Sequence, residues 1–124
     1  ISCSLVGSEM CIRDRAKAAD VTLEICVDDV AYMKEAKDYA RMGLVPAGAY
    51  RNREFVQPCL DDGNVAEVYL DLLCDPQTSG GLLFSVPESE AAGLLDDLEK
   101  MKMDTEVSVI GRVLEKQDKL IRLR

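Results

Sequence analysis

The 124 residues suit one domain, and 48% apolar with 31% charged residues is an ordinary globular balance, neither disordered nor membranous. A formal net charge of −8 argues against nucleic acid as a direct partner, because phosphate contacts need clustered Lys and Arg. The absence of histidine removes the commonest general base and metal ligand together, leaving carboxylates, Cys or Lys for any chemistry.

No stretch approaches the roughly 18 apolar residues of a membrane span. With few aromatics and no Trp, the core must be built from Leu, Val, Ile, Ala and Met. The five cysteines form no C-x-x-C pair and no zinc spacing. An odd count without a secretory signal points to reduced thiols in a cytoplasm. Cys26 and Cys74, inside apolar runs, read as buried small hydrophobes. Cys59 has no basic neighbour in sequence to activate it.

Residues 1–15, ISCSLVGSEMCIRDR, fit neither a helix period nor a strand alternation, and they lack the basic start of a signal peptide. The string LVGSEMCIRDR resembles a translated sequencing-adapter read-through, so residues 1–15 are set apart as a non-native scar. The domain is then expected over residues 16–124.

Alternation of Val21, Leu23, Ile25 and Val27 predicts a strand over 21–27. Asp28 and Asp29 offer an N-cap for a helix over 30–42, with Met33, Ala36 and Ala40 inward, Lys34 and Lys37 outward, and Gly43 as its stop. Residues 48–52 read as a loop, with Asn52 capping a short helix over 53–57. The run Asp61-Asp62-Gly63-Asn64 is a turn by composition, and residues 65–73 suit a short buried helix. Residues 82–86 read as a buried strand. Pro87 then opens the clearest helix, whose inner face is Ala91, Leu94, Leu95, Leu98 and Met101. Residues 107–114 and 119–123 alternate as a hairpin closing the sheet. The fold class is α+β, a mixed sheet covered by helices.

The most unusual segment is Asp75-Pro76-Gln77-Thr78-Ser79-Gly80-Gly81. Asp75 is pushed to extended geometry by Pro76. Thr78 and Ser79 supply hydroxyls, while Gly80 and Gly81 permit positive φ and bare backbone amides that can cradle a phosphate. Against that, the loop feeds a strand, and no Lys follows the glycines, so helix dipole and P-loop lysine are both missing. A tight structural turn and an anion- or partner-contacting loop both stay open. Arg51, Asn52 and Arg53 could contact an anion. The pairs Asp28/Asp29, Asp61/Asp62 and Asp96/Asp97, at a cap, a turn and an exposed helix face, read as solvated charge, and the helical Asp96 and Asp97 point about 100° apart. The basic tail Lys116, Lys119, Arg122, Arg124 reads as the solvated face of a strand. No catalytic constellation and no metal site is present in these residues.

The run Asp75-Pro-Gln-Thr-Ser-Gly-Gly-Leu-Leu83 resembles the D-P-Q-T-S-G-G-L-L signature of selenophosphate synthetases, the selenide, water dikinases. Gly48-Ala-Tyr-Arg-Asn52, after Tyr39-Ala-Arg-Met-Gly43 and Leu44-Val-Pro46, is similar to the family's stretch ending in arginine–asparagine. Val109-Ile-Gly111 resembles its last strand. The resemblance implies the carboxy-terminal domain of the aminoimidazole-ribonucleotide-synthetase-like superfamily, where two domains enclose an ATP cleft. It implies a parent that makes selenophosphate, AMP and phosphate from ATP, selenide and water, with magnesium. That parent is expected to be a cytoplasmic homodimer whose catalytic and metal residues lie in an amino-terminal domain upstream of residue 16. This piece alone is then inactive and binds neither ATP nor magnesium. Asp75, Gln77, Thr78, Ser79, Gly80, Gly81, Arg51 and Asn52 carry over as the family's patterned loops. Two alternatives are a stand-alone regulatory module and a fragment of a superfamily relative such as thiamine-monophosphate kinase, against which the Thr78–Gly81 match counts.

Overall fold

The computed structural model describes residues 3–4, 8–77 and 80–124. Four strands form a mixed sheet in the order β3-β6-β2-β5: β2 (Val21–Ile25), β3 (Leu60–Asp61), β5 (Gly111–Glu115) and β6 (Ile121–Leu123). Five α-helices among the described residues complete an α+β fold. Strand β2 runs antiparallel to β5, with Leu23 opposite Val113, and parallel to β6, which in turn runs parallel to β3.

The expected hairpin of the last two strands does not form, because β2 lies between them. Thr22 holds this arrangement. Its buried hydroxyl donates to the Lys119 carbonyl at 2.7 Å and accepts from the Gln117 amide at 2.9 Å, pinning the β5–β6 connection across the end of β2. The backbone of the tail pairs with β2 throughout, from Leu23 N–H on the Leu120 carbonyl to Val27 N–H on that of Arg124.

On one face of the sheet Ile25, Ile121 and Leu123 pack with Ile12, Val27 and Leu70 as the main core. The other face carries a row of charges across all four strands, Asp61, Arg122, Glu24 and Arg112 in register. Glu24 is only 7% exposed and lies 2.8 Å from Arg112 Nε, 3.5 Å from Arg124 Nε and 3.9 Å from Arg122. Thus β2 is buried on both faces, and two of the tail's basic residues cover a carboxylate. The other two are also engaged, Lys116 with Asp20 and Lys119 with the Pro58 carbonyl.

The Arg112 hydrogen bond, helped by the charge of all three arginines, outweighs desolvation and lowers the Glu24 pKa. A carboxylate lowered on folding stabilises the fold above its ordinary pKa, and that contribution fades as pH falls through the lowered value. A Glu24→Gln chain is therefore expected to unfold at less urea than the native chain at neutral pH. The gap should close below the ordinary glutamate pKa of about 4.3. Urea midpoints followed by circular dichroism across that range check the result.

Helix α1 (Ser8–Ala19) covers the core face of the sheet, with Ile12 and Ala16 buried and the Arg13 guanidinium 4.2 Å from the Phe55 ring centroid. Residues 8–15 are therefore helical, against the expectation that they fit no period. Their inward side chain at Ile12 joins the same cluster as Ile121.

Helix α2 (Ala36–Arg41) is shorter than the predicted 30–42. The chain turns at Asp29, whose N–H bonds the Cys26 carbonyl, and Val30 packs on the core. Asp28 accepts from the Tyr69 hydroxyl instead of capping a helix. Met33, expected inward, is 83% exposed. Lys37, expected outside, is half-buried with its ammonium 5.0 Å from the Tyr32 ring centroid and 4.7 Å from that of Tyr69. Cation–π attraction to two rings drew it inward. Gly43, at φ +76°, ends the segment as read from the sequence.

Helix α3 (Ala47–Val56) replaces the expected loop over 48–52, and Asn52 sits inside it rather than at a cap. A 3₁₀ turn, Gln57–Cys59, leads into β3. The 61–64 turn forms as read. The Asp61 and Asp62 carboxylates accept from the Gly63 and Asn64 amides at 3.2 and 3.1 Å. Helix α4 (Glu67–Leu73) follows, near its predicted place.

Strand β4 (Leu82–Leu83) is not the buried strand expected over 82–86. Among the described residues it pairs with β1 (Cys3–Ser4) and not with the central sheet, and Leu82 is 59% exposed. Residues 84–86 are not part of a strand, and Phe84 and Val86 are exposed. Helix α5 (Glu88–Lys100) forms where predicted, but its inner face is only half-buried and Met101 is exposed. No helix of the described residues is long and apolar enough to cross a membrane.

Candidate functional site

The signature loop leaves the end of α4. Cys74 is buried as expected, whereas Cys26 is half-buried; with Ala49 and Val56, Cys74 forms a small second core between α3 and the loop entry. Its N–H bonds the Leu70 carbonyl at 3.0 Å, and the Asp75 N–H reaches the Leu72 carbonyl at 3.3 Å. Beyond it Pro76 and Gln77 are exposed, Asp75 and Gly80 half-buried, and Gly81 exposed. The described residues of the loop are thus half-buried or exposed. The Gln77 amide donates to the Asp75 carboxylate at 3.3 Å. Thr78 and Ser79 lie outside the described residues. Gly81 does not use the positive φ that a glycine permits, and an added Cβ there would meet nothing within 4 Å.

Helix α3 brings the second predicted group alongside. Asn52 Nδ2 donates to the Cys74 carbonyl at 2.9 Å, directly before Asp75. Arg53 bridges α3 to α4, 2.8 Å from Glu67 and 3.4 Å from Asp71. The Glu67 hydrogen bond, with the charge of both carboxylates, raises its pKa further and keeps it cationic. Arg51 is exposed and makes no hydrogen bond or ion pair among the described residues, so its donors face solvent. Of the arginine–asparagine pair, Asn52 thus joins the loop, and Arg51 stands beside it on the same helix.

Sequence reasoning missed Gly48. A Cβ at this position would lie 2.7 Å from Pro76 Cγ, so the bare backbone lets the loop lie flush on α3. The signal was present, since Gly48 and Asn52 are four apart and share a helix face. It required reading 48–52 as helix.

A cleft of about 590 Å³ at the end of the sheet, lined by Thr22, Gln57, Asp61, Asp62, Lys119 and Arg122 among others, contains none of the predicted site residues. Among the described residues no group of three or more His, Cys, Asp or Glu side chains could hold a metal ion. The carboxylates at 96 and 97 are exposed and face Lys100, as solvated charge does.

No family model matches the chain. It is 44% identical over 108 residues to selenide, water dikinase 2 of Peptoclostridium acidaminophilum, a stretch covering 87% of this chain and 31% of that protein. It is 40% identical over 109 residues to the selenide, water dikinase of Clostridioides difficile, with the same shares. To that of Campylobacter jejuni strain RM1221 it is 40% identical over 99 residues, 80% of this chain and 28% of the relative. These names fit the superfamily implied by the nine-residue signature, and the α+β sheet agrees with it. The chain belongs to the selenide, water dikinase (selenophosphate synthetase) family, as a fragment that spans about three tenths of its relatives' length.

Proposed function

We propose that this chain forms one wall of the nucleotide site of a selenophosphate synthetase, an enzyme making selenophosphate, AMP and phosphate from ATP, selenide and water. The observation that carries the reading is the placement of the signature loop. Asp75, Gln77, Gly80 and Gly81 are half-buried or exposed, and Arg51 stands on the helix whose Asn52 bonds the loop entry, exposed and without a hydrogen bond or ion pair among the described residues; backbone amides and a guanidinium suit an anionic phosphate. Thr78 and Ser79 are assigned to the same loop by the signature.

The catalytic groups and those that hold magnesium belong, in this reading, to an amino-terminal region of the parent. The described residues offer no ligand set for the ion, and no step is routed through it. Residues 16–124 are the enzyme's own carboxy-terminal domain, and residues 1–15 are a foreign segment. The parent is a cytoplasmic homodimer, and the chain on its own is inactive.

The expected result is no AMP from the 124-residue chain mixed with ATP, magnesium and selenide. Turnover would overturn the placement of the catalytic groups elsewhere. In a full-length enzyme carrying this stretch, Arg51→Ala is expected to raise the KM for ATP about tenfold, the loss of one charge-assisted hydrogen bond. An unchanged KM would remove Arg51 from the site.

A further inference from the structure

Resting on the reading of the signature loop as the site, we infer that Asn52 and Gly48 are positioning residues that fix where that loop leaves α4. Neither is needed to touch a ligand. The Asn52 carboxamide spends a donor on the Cys74 carbonyl at 2.9 Å, and Cys74 is itself buried and bonded into the last turn of α4. One helical turn earlier, Gly48 offers bare backbone against Pro76. The loop entry is therefore tethered at 74 and seated at 76, with Asp75 held between.

The frame behind it is tied together by side chains of α3 and α4. Arg53, next to Asn52, ties α3 to Glu67 and Asp71 on α4. Ala49 and Val56 pack against Cys74 from the same helix. The arginine–asparagine pair thus divides its labour. Asn52 acts through the main chain of the loop, and Arg51, exposed and without a hydrogen bond or ion pair among the described residues, is the member left to meet an anion.

Three substitutions in the 124-residue chain test this by backbone amide NMR and hydrogen exchange, with no nucleotide present. The outcome is thus independent of the parent activity. Asn52→Ala removes the donor, and Asn52→Asp keeps the shape but sets a carboxylate against a carbonyl. Either should speed exchange of the Cys74 and Asp75 amides about tenfold and move the Gln77, Gly80 and Gly81 resonances, leaving β2 and β6 unchanged. Gly48→Ala favours the helix yet wedges Pro76 outward, so it should move the same loop resonances without loosening α3. Loop resonances unmoved in the Asn52 variants or in Gly48→Ala would overturn the inference. So would loosening spread evenly through the sheet, which is what a merely structural role predicts.

Discussion

Gly111→Ala is expected to tear β5 from the sheet. A Cβ on Gly111 would sit 1.9 Å from the Glu24 carbonyl oxygen, 2.9 Å from its carbon and 3.0 Å from the Ile25 Cα. All three are backbone atoms of the neighbouring strand, so no side-chain rotation relieves the contact. Overpacking that rotamers can absorb costs about 1–3 kcal/mol, and a backbone collision belongs at the top of that range, about 3 kcal/mol or more. That is a large share of the roughly 5–15 kcal/mol that holds a domain together. Urea unfolding should show it, together with accelerated exchange of the Cys26 amide, which donates to the Ile110 carbonyl. A native midpoint would mean that Gly111 does not face Ile25. The contact also explains why a glycine opens β5.

Truncation of Ile121 is the second large effect. Ile121 is 2% exposed, pairs in register with both Leu23 and Leu60, and lies in the main core cluster. Ile121→Ala is expected to cost about 2–5 kcal/mol through lost transfer energy and an unfilled cavity, and Ile121→Val about 0.5–1.5 kcal/mol. The two urea midpoints should fall in that order. Equal midpoints would place Ile121 outside the core.

What could be read in advance was what local chemistry dictates. The alternation of 21–27, the stop at Gly43, the Asp-Asp-Gly-Asn turn and the long helix after Pro87 all formed near their expected places. Failures came where a distant partner decides. Residues 47–56 contain Gly48 and Asn52, poor helix formers, and the helix is supported by Arg53 reaching α4 and by burial of Ala49 and Val56. Alternation marks 107–114 and 119–123 as strands, which form as 111–115 and 121–123, but cannot say that β2 slips between them. That depends on the pairing of β2 with both strands, to which Thr22 adds a tie at one end. The apolar run at 82–86 announces a strand without saying which edge, if any, receives it. At the site the nine-residue motif was legible in itself. Its tether was not, because Asn52 and the Cys74 carbonyl lie 22 positions apart and only one of them is a side chain.

The insertion of β6 between β2 and β3 has a kinetic consequence. Thr22 and Lys119 meet across 97 positions of chain, so the middle of the sheet closes through one of the longest loops the sequence allows. Such non-local pairing slows folding, because loop entropy is lost before contacts compensate. Until the last strand arrives, β2 presents an unsatisfied edge on which another molecule can dock, and refolding yield should fall as protein concentration rises.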